Sequence, residues 1–227
     1  MSIDLNADVG EGFEDDEALL GIVTSANVAC GFHAGSPETM RAACRWAAAR
    51  GVVVGAHPSY RDREGFGRRA LDVAPHVVRS EVAEQVEALA GIAAAEGLRV
   101  AYLKPHGALY NRAAVEAETA AAIVEAATGA GLPVLALPGS ELYRQAAQAV
   151  AEGYADRGYT ADGLLVPRGE PGALLGAEAA ADQAVRLARE GRVESLCIHG
   201  DSPGAAALAA RVRAALVSAG FELRAFA

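Results

Sequence analysis

Four of the five histidines in this 227-residue chain follow short apolar segments, and each precedes a small residue or proline and then a helix-like segment. They are His33, His57, His106 and His199, and Asp8 ends the first apolar segment in the same way. Strands that alternate with helices run parallel, so their C-terminal ends emerge at one edge of the sheet. Ligand-binding and catalytic residues of parallel α/β folds gather at that edge. The pattern therefore indicates a parallel α/β fold and predicts an enzyme.

Seven or eight strand–helix units fit this length, and no linker or low-complexity segment divides them. We therefore predict a single domain over residues 1–227, a compact β/α barrel that is distorted or incompletely closed. An open, doubly wound sheet is the alternative.

Local signals mark several elements. Ser36 as N-cap and Pro37 at the first helical position predict a helix that ends near Gly51. Apolar periodicity predicts a long helix over Pro75–Glu96, and alanine-rich composition predicts another over Ala114–Ala130. Further predicted elements are strand pieces at Tyr154–Ala155 and Leu164–Val166 and a helix from Pro203 to Ala219.

Composition narrows the class of function. The net charge of −9 argues against nucleic acids and anionic membranes as partners. No apolar stretch approaches the roughly 18 residues of a membrane span, and the N-terminus lacks the pattern of an export signal. The three cysteines lack metal-type spacing and favour reduced thiols. We therefore expect a cytoplasmic protein.

Lys104 is the only lysine among 20 basic residues. A lysine ammonium is compact and can lose its proton when buried, whereas a guanidinium stays charged. Codon bias with one chance lysine is the alternative. The position of Lys104, two residues before His106, favours a catalytic role.

The first strand, IDLNAD, places Asp4, Asn6 and Asp8 on one face. In a barrel this face enters the interior, where a carboxylate is costly unless it is paired. An edge strand with one wet face is the alternative. We predict that Asp8, nearest the rim, acts as a general base or orients a histidine, and that Asp4 is structural.

Other polar residues allow two interpretations. A single strand-end histidine is often a core residue, but four together indicate a site. Asn27 and Asn111 orient a carbonyl or cap turns. Arg157 or Arg168 binds a substrate carboxylate through a bidentate fork, or Asp156 and Arg157 form a structural salt bridge. The sequence contains no phosphate-binding glycine motif and no local metal motif.

At these residues the chain resembles the LamB/YcsF family. The motifs that carry the resemblance, from Ile3 to Asp201, are DLNADVGEG, SANVACGFHAG, GAHPSYRDREGFGR, LKPHGALYN, YADRGYTADGLLVPR and CIHGD. The resemblance implies a seven-stranded β/α barrel similar to the glycoside hydrolase/deacetylase group. It also implies ATP-dependent opening of the lactam of 5-oxoproline to L-glutamate, together with 5-oxoprolinase subunits B and C.

The resemblance also implies site residues. The family's motif positions in this sequence are Asp4, Asn6, Asp8, Glu11, Asn27, His33, His57, Lys104, His106, Asn111, Asp156, Arg157, Arg168, His199 and Asp201. We assign catalysis to Asp8, His57, Lys104 and His106. We assign substrate binding to Asn6, Asn27, His33, Asn111, Asp156, Arg157, Arg168, His199 and Asp201. Ser36 replaces the family's usual Asp, and the segments before Tyr154 and His199 are shorter than usual.

An unstrained lactam is a poor electrophile, and phosphorylation of its oxygen would activate it, which explains the ATP that the complex consumes. Two alternatives remain open. One is a metal-dependent deacetylase or amidohydrolase in which Asp8, His33 and His57 or His106 hold a divalent cation. The other is a non-catalytic scaffold subunit that binds the substrate or a partner.

Overall fold

The computed structural model describes residues 1–201 and 204–227, and within them seven parallel strands form a closed barrel. The strands are β1 (Ser2–Val9), β2 (Ser25–Ala29), β3 (Val53–His57), β4 (Val100–Leu103), β5 (Val134–Ala136), β6 (Ala149–Tyr154) and β7 (Ser195–Ile198). Each strand pairs with the next, and β1 pairs with both β2 and β7, which closes the ring. The predicted β/α barrel is therefore confirmed, and because the ring is closed, incomplete closure and the open sheet are both wrong. A short strand, β8 (Glu222–Leu223), pairs with the start of β1 outside the ring.

The helices of the described residues are α1 (Asp16–Leu20), α2 (Pro37–Arg50), α3 (Pro75–Ala95), α4 (Gly107–Val115), α5 (Ala117–Gly129), α6 (Glu141–Gln145), α7 (Ala177–Glu190) and α8 (Ala205–Ser218). Ser36 caps α2 as predicted, since its side chain accepts a hydrogen bond from the Thr39 amide. None of these helices is long and apolar enough to cross a membrane.

The two faces of β1 divide the core. Ile3, Leu5, Ala7 and Val9 belong to the main hydrophobic core. The opposite face carries Asp4, Asn6 and Asp8, which are at most 3% exposed, so the wet edge strand is wrong. The barrel interior is therefore polar along β1.

Two helices replace the predicted Ala114–Ala130 helix. α4 starts directly after His106, and the backbone is extended at Glu116, where α4 ends and α5 begins. The Glu116 carboxylate binds both Arg112 of α4 and the Thr119 hydroxyl of α5. Alanine content predicts helical structure but does not locate such a break.

The strand piece predicted at Tyr154–Ala155 is only the end of a longer strand, most of which the sequence pattern does not indicate. β6 spans Ala149–Tyr154, and its buried Glu152 interrupts the apolar pattern. Leu164–Val166 is not a strand but part of a loop in which Tyr159 and Leu165 form one antiparallel bridge. Pro203, the predicted start of the last helix, lies outside the described residues.

We predict that Gly55→Ala destabilises the protein by about 2–3 kcal/mol. A Cβ on Gly55 of β3 would overlap the ring of Tyr102, which is fully buried and donates a hydrogen bond of 2.8 Å to Asn27. Equilibrium denaturant unfolding measures the change. Gly91→Ala is the matched control, because Gly91 lies within α3 with open space around it. It should stabilise the protein by about 0.5–1 kcal/mol, and equal effects of both variants would contradict the prediction.

Candidate active site

A cavity of about 590 Å³ opens at the C-terminal ends of the strands. Asp8, His57, Lys104 and His106 line its floor, so the structure brings the four predicted catalytic residues together. Its volume is in the range of small-molecule sites. Parallel strands place these residues at one rim although they are far apart in the sequence.

The histidines occupy different positions relative to their strands. His57 is the last residue of β3 and His199 follows β7 directly, whereas His106 is the N-cap of α4 and His33 lies four residues beyond β2. His57 Nε2 lies 3.0 Å from His106 Nδ1. The ring of His33 stacks on that of His106 with 3.8 Å between centroids. Three imidazoles therefore form one contiguous group.

A tight loop packs against this group. Gly67 has φ of 66°, and a Cβ there would lie 2.8 Å from both His106 Cδ2 and His33 Cβ. Phe66 is the non-glycine residue of the described chain with a positive φ, 53°, a strained conformation for a bulky side chain. Its carbonyl oxygen accepts a hydrogen bond of 2.9 Å from His106 Nε2. The strain is located where the loop fixes His106.

Lys104 is almost completely buried within a group of polar side chains. Its Nζ lies 2.8 Å from Glu152 Oε1, 3.2 Å from Asp8 Oδ1 and 2.9 Å from Cys197 Sγ. Burial alone would lower the pKa of Lys104, but Asp8 and its other anionic neighbours raise it well above the usual value. The residue is therefore an ammonium, and a neutral amine does not fit this environment. Sequence reasoning missed Glu152 because β6 was not recognised.

Asp8 is held in a fixed orientation. Its Oδ1 accepts a hydrogen bond of 2.8 Å from Asn27 Nδ2, and its Oδ2 lies 3.4 Å from His57 Nε2. Burial alone would raise the pKa of Asp8, but His57 and Lys104 hold it well below its usual range. Asp8 is therefore an ionised carboxylate with one oxygen directed towards the histidines.

The two asparagines lie beneath Asp8 in the barrel interior. Asn27 Nδ2 lies 2.7 Å from Asn6 Oδ1, and Asn6 Nδ2 donates to Ser195 Oγ at 2.7 Å. Both side chains are fully buried and orient other side chains in this structure. Asp4 lies deeper and accepts hydrogen bonds from Thr24 and Ser25 at 2.6 and 2.7 Å. Burial raises the pKa of Asp4, and this arrangement supports the predicted structural role.

Four of the remaining predicted substrate-binding residues line the cavity, and Asp156 and Asp201 lie behind them as their partners. Asn111, Arg157, Arg168 and His199 line its walls. Asp156 accepts hydrogen bonds from the backbone and ring of His199 at 3.0 and 3.1 Å, and Asp201 pairs with Arg68 and Arg168.

The alternative salt bridge between Asp156 and Arg157 is not formed among the described residues. Arg157 instead donates to the carbonyl oxygens of Val166 and Ala173 at 2.6 and 2.9 Å. These contacts hold its guanidinium at the cavity wall.

Glu11, which has no separate role among the predictions from the sequence, joins the histidines. Its Oε1 lies 3.1 Å from His33 Nε2 and 3.7 Å from His106 Nδ1. One ligand atom each of Asp8, Glu11, His57 and His106 lies within 4.8 Å of the others. This group includes Glu11, whereas His33 contacts it through Glu11 and the ring of His106, and a role of His33 as a metal ligand stays a prediction.

The loop that carries Glu11 depends on Asp16. Asp16 Oδ2 accepts hydrogen bonds from the amides of Gly10 and Gly12 at 3.0 and 3.3 Å. Burial raises the pKa of Asp16 to about 6 despite these bonds. Between about pH 4 and pH 6 the folded state therefore keeps the Asp16 carboxyl protonated, whereas the unfolded state releases this proton. The unfolding free energy consequently falls as the pH rises through that range.

We predict that Asp16→Asn removes this pH dependence. Relative to the unsubstituted protein, the variant should gain up to about 3 kcal/mol in unfolding free energy between pH 4 and pH 7, because asparagine has no ionisation cost. Denaturant unfolding of both proteins at the two pH values measures the change. A stability difference that is the same at both pH values would contradict the pKa shift.

Comparison with known proteins identifies relatives of the whole chain. The LamB/YcsF family profile matches residues 3–227. The chain is 53% identical to the A subunit of 5-oxoprolinase from Streptomyces griseus and 52% identical to that from Streptomyces avermitilis, over 99% of this chain and 100% of each relative. Both alignments span 249 positions, so this chain has gaps at no fewer than 22 of them. That these gaps fall before Tyr154 and His199 stays a prediction.

Solved structures show the same fold. A lactam utilization protein from Thermus thermophilus is 41% identical and superposes with a TM-score of 0.92 over 100% of both chains. The catalytic domain of a peptidoglycan N-acetylglucosamine deacetylase from Eubacterium rectale has a TM-score of 0.62 at 13% identity, over 99% of this chain and 88% of that chain. The predicted likeness to deacetylase barrels is therefore confirmed at the level of the fold.

Proposed function

The chain belongs to the LamB/YcsF family, and from that membership we propose that it is the A subunit of an ATP-dependent 5-oxoprolinase, which opens the lactam of 5-oxoproline to L-glutamate. The relatives named as A subunits of 5-oxoprolinase, at about half identity over the whole chain, support this assignment. The observation that carries it is the buried group of Asp8, His57, Lys104 and His106 at the floor of a cavity of about 590 Å³.

The reaction requires an activated carbonyl. Transfer of the γ-phosphoryl group of ATP to the lactam oxygen, with release of the amide N–H proton, forms a C=N bond at the former amide and gives ADP. Water then adds to that carbon, and collapse of the tetrahedral intermediate breaks the C–N bond and leaves an acyl phosphate. A second water hydrolyses the acyl phosphate to L-glutamate and inorganic phosphate. Because this sequence has no phosphate-binding glycine motif, we assign the ATP-cleaving step to subunits B and C.

The cavity residues suit the hydrolytic steps. As long as no cation occupies the site, the ionised Asp8 orients His57, whose Nε2 can accept a proton from water. The ammonium of Lys104, 3.2 Å from Asp8, stabilises negative charge that develops on the substrate oxygen. Arg157 and Arg168, on the cavity wall, provide positive charge for the substrate carboxylate.

The convergence of ligand atoms from Asp8, Glu11, His57 and His106 favours a metal-dependent amide hydrolase as the second candidate. A divalent cation at these residues would lower the pKa of bound water and make hydroxide available near neutral pH. In this alternative the isolated chain would hydrolyse an amide without ATP.

We also propose that the protein is cytoplasmic. Cys30, Cys44 and Cys197 are free and buried, which is typical of a reducing compartment.

Reconstitution tests the proposed function. We expect no glutamate release from 5-oxoproline by the isolated chain, with or without ATP, and ATP-dependent release after subunits B and C are added. Omitting each component in turn provides the controls. Robust turnover by the isolated chain without ATP would replace the proposal with the plain amide hydrolase.

A further inference from the structure

His57 and His106 face each other with nitrogens that cannot both be donors. His57 Nδ1 lies 2.8 Å from the carbonyl oxygen of Lys104, and His106 Nε2 lies 2.9 Å from that of Phe66. A carbonyl oxygen only accepts, so both of these nitrogens carry the protons. A neutral imidazole has one N–H, and the facing nitrogens of His57 and His106 therefore present lone pairs to each other at 3.0 Å. Such an arrangement needs a proton or a metal cation at the two nitrogens.

Two carboxylates flank the facing lone pairs. Asp8 Oδ2 lies 3.4 Å from His57 Nε2, and Glu11 Oε1 lies 3.7 Å from His106 Nδ1. The orientation of both carboxylates is fixed from outside, because Asn27 donates to Asp8 Oδ1 and His33 Nε2 lies 3.1 Å from Glu11 Oε1. Metal ligands are characteristically held in this way: the N–H group of a ligating imidazole donates to a carbonyl oxygen, and a ligating carboxylate accepts hydrogen bonds from neighbouring groups.

The charges of this buried group do not balance. With ionised carboxyl groups and neutral imidazoles, Asp8, Glu11 and Glu152 bring three negative charges against the single positive charge of Lys104. A proton shared by the histidines would leave one negative charge, whereas a divalent cation would neutralise the group.

We infer that Asp8, Glu11, His57 and His106 bind one first-row divalent cation, with Zn²⁺ as the representative ion. Two imidazole nitrogens and two carboxylate oxygens form a donor set that suits this class of metal. Metal–ligand distances of roughly 2.0–2.1 Å give a tetrahedron with edges of about 3.3 Å. Three of the six edges are observed at 3.0, 3.4 and 3.7 Å, which approach that size, and the four ligand atoms all lie within 4.8 Å of one another.

Metal titration of the full-length chain tests the site. The purified protein is stripped with a chelator, and Zn²⁺ or Co²⁺ is added while calorimetry and elemental analysis follow uptake. We expect one equivalent, and a visible Co²⁺ spectrum typical of tetrahedral nitrogen and oxygen coordination. Glu11→Gln and His106→Gln should each lower the affinity by more than the roughly 10–100-fold that the loss of an outer hydrogen-bond partner costs.

Two controls locate the site. His76→Gln removes an exposed histidine at the start of α3, and Cys197→Ser removes a member of the second possible group, Asp8, Cys197 and His199. Both should retain the affinity of the unsubstituted chain, with circular dichroism confirming the fold of every variant.

Three outcomes would overturn the inference: no uptake by the folded unsubstituted chain, uptake that survives both Glu11→Gln and His106→Gln, or uptake that is lost in Cys197→Ser. Because the readout is bound metal, none of them depends on 5-oxoprolinase turnover.

Discussion

Replacing Lys104 with arginine is expected to lower turnover of the reconstituted complex by about 10²–10³-fold. The positive charge is retained, but a planar guanidinium is larger than the ammonium that fits between Glu152 and Asp8 at 2.8 and 3.2 Å. The raised pKa of Lys104 shows that the charge is already present, so the loss would come from shape and placement. A role that depends only on charge would survive the substitution.

The Lys104→Met variant removes the positive charge but keeps a side chain of similar length, so it distinguishes the effect of charge from that of shape. It should also abolish turnover, and in addition it should lower the unfolding free energy by about 3–5 kcal/mol, because Asp8 and Glu152 remain buried without their cation. ATP-dependent glutamate release measures activity, and denaturant unfolding measures stability. Near-normal turnover of Lys104→Arg would show that the single lysine is a compositional accident.

Asp8→Asn is expected to reduce turnover by at least about 10²-fold with little change in shape. Asparagine removes the negative charge that orients His57 and that Lys104 stabilises. Glu152 still neutralises Lys104, so the fold should be retained. Glutamate release by the complete complex, with thermal melting as the folding measurement, tests the prediction.

Asp4→Asn is the matched control for this substitution. Asp4 lies on the same face of β1, bound by Thr24 and Ser25, and burial raises its pKa. Because Asp4 does not line the cavity among the described residues, turnover should stay close to that of the unsubstituted complex. If Asp8→Asn retained activity as well as Asp4→Asn does, catalysis would occur elsewhere and the scaffold alternative would replace the proposed role.

The periodicity of the sequence was sufficient to predict which residues of the first strand face the barrel interior. Asp4, Asn6 and Asp8 alternate with apolar residues, and side chains of a strand point alternately to opposite faces, so one buried polar face follows directly. The convergence of Asp8, His57 and His106 also followed from the sequence, because the C-terminal ends of parallel strands meet at one rim.

The partners across the barrel were decided by the tertiary structure. Glu152 binds Lys104, and Glu11 lies beside both His33 and His106. The break between α4 and α5 at Glu116 likewise depends on side-chain contacts with neighbouring turns. Local patterns determine which residues form a strand and which face they share. Contacts between distant segments depend on strand stagger and loop conformation, such as the positive φ of Phe66, and only the closed barrel fixes these.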